Sequence, residues 1–167
     1  MSEEKKSIAA PEPSLDFKFR KISLAWILTL QESIKIMLEH GGPELAFTGV
    51  KRTASAWAEK LGKHIVRDFK LPDTVEGALQ LLDIYNQIFT AARMNAYTEG
   101  EAGYFEILDC THWDLMCKPL GIRCDESCES HEGPSVLKAL GDFNLEFVQC
   151  KPRGGDRCAY KITKGRK

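Results

Sequence analysis

The chain lacks several features that would have settled its class at once. It has no apolar run long enough to span a bilayer: stretches such as "ISLAWILTL" are broken by polar groups well short of the roughly 20 apolar residues required. No membrane span is expected. The opening "MSEEKKSIAAPEPS" has no apolar signal core, so residues 1–14 read as a flexible leader, and a cytoplasmic location follows. Charge of one sign is also missing. A formal net charge of -1, with 28% charged and 43% hydrophobic residues, excludes a disordered chain and a strongly basic nucleic-acid binder. Neither "GGPELAFTG" nor "PRGGDR" has the lysine-serine ending or the strand-to-helix context of a phosphate loop.

Cysteine is absent from the first 109 residues, and this absence is the most informative. All six cysteines, Cys110, Cys117, Cys124, Cys128, Cys150 and Cys158, fall after that point. A free cysteine is often a small buried apolar residue, but that role would scatter the six along the chain. In a reducing compartment, clustered thiols read as metal ligands or reactive groups before they read as disulfides. With 167 residues the chain can bury a core as one domain, taken as 15–167.

The pattern of apolar residues divides the chain into a helical half and a strand-bearing half. Leu24, Ile27, Leu28, Ile34, Met37 and Leu38 recur at helical spacing from Leu15 to about Glu39, and "HGGPE" then stops the helix. A second helix, from Pro43 to about Val66, carries Leu45, Val50, Ala54, Trp57 and Leu61; its small residues Ala54, Ser55, Ala56 and Ala58 would admit another helix or a ligand. A third follows "LPDT", with Asp73 as the expected N-cap. Beyond it, "TEGEAG" and "KPRGGDR" are turn sequences, each between segments of strand length. Two hairpins of this kind make an α+β fold: an antiparallel sheet of about four strands with helices packed on one face.

The cysteine spacing suggests a metal site. The hairpin turn would bring Cys150 and Cys158 together, and the CxxxC of Cys124 and Cys128 points two sulfurs the same way. Four thiolates suit a structural zinc ion; an iron-sulfur cluster is the alternative, disfavoured because no tight CxxCxxC run occurs. His131 or Glu132 could replace one sulfur, and His131 or Glu146 could stand in for Cys128 as fourth ligand, although His131 also suits a solvent-facing loop.

Two functions compete on the remaining residues. One is a binding module, acting as carrier, sensor or accessory factor, whose pocket between helices and sheet takes an apolar or aromatic small molecule. Trp26, Trp57, Tyr85, Phe89, Tyr97, Tyr104, Phe105 and Trp113 are candidates for its wall, Trp57, Tyr97 and Trp113 being the expected ligand contacts. The other is a cysteine-dependent hydrolase. Cys110 would start a helix, where the dipole lowers a thiol pKa, and His112 is near in sequence, although residues two apart on a helix do not face each other.

The C-terminal half resembles a known family. "IRCDESC", "GPSVLKALG" and "GGDRCAY" are similar to motifs of the 4-vinyl reductase domain superfamily of small-molecule-binding domains, over about residues 31–163. The resemblance implies zinc held by Cys124, Cys150 and Cys158, with Cys128 standing in for an acidic ligand where this chain has Phe147. It also implies a homodimer, with the apolar first helix as interface. A second, smaller resemblance, to L-2-amino-thiazoline-4-carboxylate hydrolase-like proteins, would make the chain an enzyme with Cys110 as nucleophile.

Overall fold

Gly42 divides the N-terminal helical run. In the computed structural model, α1 (Leu15–Phe69) has helical geometry up to Gly42, whose φ of 73° and ψ of -177° separate arms 15–41 and 43–69. That backbone region is essentially closed to residues bearing a Cβ, and Pro43 has no N–H to give the preceding turn. The arms fold back on each other. Trp26 and Trp57 meet at 5.3 Å between ring centroids, while nearer the bend a Cβ on Gly49 would lie 2.6 Å from the Met37 sulfur. As the position on one arm rises the matching position on the other falls, so the arms run antiparallel.

The structure describes residues 14–165 except 90–92, 122, 124, 126, 127 and 129–131. Nearly all of the expected leader, Cys124 and His131 therefore lie outside the described residues, as does the Phe89 side chain. No helix among the described residues is long and apolar enough to cross a membrane.

α2 (Val75–Phe89) starts one residue later than Asp73 would require. The cap is Thr74, whose Oγ1 accepts the Gly77 N–H at 3.2 Å. Asp73 instead takes the ammonium of Lys164 at the far end of the chain. α2 buries Ala78, Leu79, Leu81, Leu82 and Tyr85.

Four strands follow: β1 (Met94–Glu99), β2 (Ala102–Ile107), β3 (Phe143–Gln149) and β4 (Cys158–Lys164). They form one antiparallel sheet in the order β1-β2-β4-β3. Alternation sorts their side chains: Phe105, Ile107, Tyr160 and Ile162 are buried on the inner face. Between the hairpins lie a π-helical turn (Trp113–Cys117) and a short helix, α3 (Gly133–Lys138). The helices cover one face of the sheet, giving the α+β architecture read from the turns and periodicities. α3 approaches α1 closely at Gly62, where a Cβ would stand 2.9 Å from that of Ala139.

Burial is divided between two apolar clusters. The larger joins the sheet, α2, α3 and the second arm of α1 through Ala58, Leu81, Phe105, Leu137 and Ile162. The smaller joins both arms to the π-helical turn through Ile34, Ala46 and Cys117, with Leu30, Val50 and Trp113 packed against them.

Candidate functional site

A cavity of about 110 Å³ opens between these two clusters. That is several times the roughly 10–15 Å³ that a single water occupies on this measure. The sequence builds each wall by periodicity. Trp26, Leu30 and Ile34 recur every fourth residue on the first arm, and Phe47, Val50, Ala54 and Trp57 share one face of the second. The floor is the inner face of the sheet, with Phe105 and Ile107 from β2, Leu145 and Phe147 from β3, and Cys158 and Tyr160 from β4. Ala54 presents only a methyl group among these larger side chains, so space remains beside the second arm.

The few polar groups in the wall are mostly paired. From α2, the Tyr85 hydroxyl donates to Glu132 Oε1 at 2.8 Å, and the Cys128 sulfur lies 3.9 Å from Glu132 Oε2. Burial, reinforced by the negative Glu132, drives the Tyr85 pKa far above its ordinary value. Tyr160, enclosed on the floor, is raised for the same reason, burial first and then the neighbouring Cys128.

Asp125 is 1% exposed and shared by two guanidinium groups. Arg123 donates from Nη2 to Oδ2 at 2.6 Å and from Nε to Oδ1 at 3.3 Å, and Arg153 Nε reaches Oδ2 at 2.9 Å. Burial pushes the Asp125 carboxyl up, but the hydrogen bonds from Arg123 and Arg153 outweigh it and hold the pKa below the usual range. Arg123 and Asp125 both line the cavity. His112 lines it too, and its Nε2, shut off from solvent, has no hydrogen-bond partner among the described residues.

The residues singled out from the sequence are distributed unevenly about this cavity. Cys110, His112 and Trp57 are on its wall. Cys110 heads the turn, its sulfur accepting the Trp113 N–H at 3.4 Å. Trp113 packs in the smaller cluster. Tyr97 lies on β1, 43% exposed, stacked on Tyr104 at 5.2 Å. Phe47, Phe147 and Tyr160 were missed, although the alternation in "FNLEFVQ" and "CAYKITK" places the last two on the inner face.

The expectation of a zinc-binding domain is corrected. Among the described residues no group of three or more His, Cys, Asp or Glu side chains could hold a metal ion. Cys128 and Cys158 stand in the wall of the cavity beside Cys110 and Cys117. Cys150 is buried in the larger cluster, and Glu146 is exposed on β3 opposite Lys161. Cys124 and His131 lie outside the described residues. Among the described cysteines, Cys117, Cys150 and Cys158 are buried, a place that free cysteine often takes.

No protein-family model matches the chain, and no curated protein matches it. Its fold is similar to that of a solved structure, a trafficking protein particle complex subunit 3 from Naegleria fowleri covalently bound to palmitic acid. That match has a TM-score of 0.57 and 10% sequence identity, and it covers 88% of this chain and 97% of the other. These findings correct both resemblances read from the cysteine motifs. The chain shares its architecture with a trafficking subunit, and neither the 4-vinyl reductase domain superfamily nor the thiazoline-carboxylate hydrolase group is matched.

Proposed function

We propose that this protein binds a single apolar chain of the fatty-acyl kind in the cavity between its helical arms and its sheet, and acts as a carrier or accessory factor. The observation that carries this reading is the wall itself: α1, α2, α3, β2, β3 and β4 all turn apolar side chains toward one shared space that their own packing leaves unfilled. Empty apolar cavities stay dry and accept apolar guests. The palmitic acid on the structurally similar trafficking subunit supports an acyl chain over a planar aromatic.

A chain-length series tests the proposal. Each methylene transferred from water contributes about 0.8 kcal/mol, so affinity should rise by roughly fourfold per carbon until the cavity is full. Displacement of a fluorescent fatty acid by unlabelled acids of increasing length would show that rise followed by a plateau. Affinity independent of length would remove the reading.

One feature of the surface bears on assembly. Ile22, Leu28, Ile36 and Leu45 of α1 are 69%, 48%, 56% and 50% exposed, and exposed apolar groups of this kind suit pairing with a second copy. Sedimentation equilibrium tests that pairing: a dimer mass that reverts to monomer in Ile22→Glu, Ile36→Glu supports it, and a monomer at all concentrations refutes it.

A further inference from the structure

We infer that the cavity holds its guest by a carbonyl oxygen, and that the Tyr160 hydroxyl on the floor and His112 Nε2 on the wall are the donors that bond it. This rests on the proposed acyl-chain cavity and names the chemistry of the polar end of its guest.

The first observation is the phenol of Tyr160. The residue is 7% exposed and lines the cavity, and among the described residues no hydrogen bond reaches its hydroxyl. Packing accounts for the ring but not for the oxygen. Tyr160 stands between Phe105 on β2 and Phe147 on β3 in the sheet register, with ring centroids 6.4 Å and 4.4 Å away. A third phenylalanine would make the same contacts. A buried hydroxyl without a hydrogen bond is costly, and such groups are rare in folded proteins.

Its surroundings locate that hydroxyl. After burial, the groups that raise the Tyr160 pKa are Cys128, Cys158, Cys110 and Glu132, and all four belong to the cavity wall. The oxygen therefore lies among the lining groups rather than behind them.

The second observation comes from a different element. His112 precedes the π-helical turn, and its Nε2, shut off from solvent on the same wall, also has no partner among the described residues. A neutral phenol donates one hydrogen bond, and so does an imidazole protonated at Nε2. Two donors thus reach one apolar space without an acceptor.

A carbonyl oxygen answers both observations. It has two lone pairs and so accepts from two donors, and a fatty-acyl chain carries one such oxygen at its end. In apolar surroundings these bonds are electrostatically stronger than in water. A plain hydrocarbon fills the same space and leaves both donors unmet. Free acids and esters share the carbonyl, so the shared chemistry is what the site reads.

The experiment uses the full chain stripped of lipid. Methyl dodecanoate, dodecanoic acid and pentadecane compete against one fluorescent probe on the native sequence, Tyr160→Phe and His112→Phe. Each variant should bind the ester about threefold to tenfold more weakly than the native chain does, the scale of one hydrogen bond, and should bind pentadecane unchanged. Loss for the acid as well would place free acids among the guests, and loss for the ester alone would assign an esterified acyl chain; both patterns support the carbonyl anchor. Equal losses for ester and hydrocarbon, or none for either, would overturn it while leaving the acyl-chain cavity standing. Failure of the native chain to bind any of the three would overturn both readings. Thermal unfolding of ligand-free Tyr160→Phe adds a second test, because removing an unbonded hydroxyl should leave Tm equal or higher; a lower Tm would show a bond within the protein and overturn the assignment. A third test needs no variant. The infrared stretch of an isotope-labelled ester carbonyl bound to the native chain should lie below its frequency in hexane, and an unshifted band would overturn the anchor.

Discussion

Replacing Ala54 with leucine puts the cavity to a direct energetic test, because the expected sign is opposite to that of most core substitutions. Ala54 faces the open space from the second arm of α1, and alanine and leucine have nearly equal helix propensity. Leucine adds three carbons at about 0.8 kcal/mol each, roughly 2.4 kcal/mol in total. Freezing the side chain costs about 0.5–1 kcal/mol, so the ligand-free protein should gain about 1.5 kcal/mol. For a chain of this size that raises Tm by about 3–6 °C. The added side chain also occupies the place of the ligand, and affinity for a fatty acid should fall by about tenfold or more. Thermal unfolding of lipid-free protein and a fluorescent displacement titration read the two effects separately. A lower Tm combined with unchanged binding would mean that position 54 meets packed atoms rather than space, and the cavity argument would fail.

The remaining expectations concern what shapes the walls. Gly42→Ala places a Cβ in a conformation reserved for glycine and should cost about 1–3 kcal/mol by urea titration; no loss would mean that the arms do not need that bend. Tyr85→Phe removes the hydroxyl that donates to Glu132 and should cost about 1–3 kcal/mol by the same assay, a neutral result showing that Glu132 finds water there. Stability should also respond to pH at both extremes. The Asp125 pKa is depressed in the fold, so its contribution is present above the unfolded value of about 3.9 and is lost as pH falls through the folded one. Tyr85 and Tyr160 are raised, so theirs is full below the unfolded value of about 10 and declines as pH rises beyond it. A plateau in urea midpoint between these limits checks both, and Asp125→Asn should flatten the acid side.

Much of the architecture was legible because it is written in local signals. "HGGP" ends one helix and begins another whatever packs around it, since the glycine backbone and the missing proline N–H act at that point in the chain. The strands of both hairpins were readable from turn composition and from the strand length of the segments on either side. The N-cap was off by one residue, Thr74 in place of Asp73, because either side chain could cap and the choice depended on where Lys164 would draw Asp73.

The site was less legible, and the cysteines show why. Their spacing suggested ligands converging on a metal, but spacing does not say which way a sulfur points or what surrounds it. Cys110, Cys117, Cys128 and Cys158 reach one apolar cavity from a turn, a loop and a strand. Likewise Arg123 and Arg153 meet Asp125 from opposite sides of α3 and β3 in the sequence.

By itself the sequence determined the α+β class, the two hairpins and the break between the helical arms, all consequences of interactions within a few residues. Only the tertiary structure decided that the arms would fold back, that two apolar clusters would form with a cavity between them, and that His112 would face it. Those outcomes depend on contacts between residues far apart in the chain, whose energies no local pattern records.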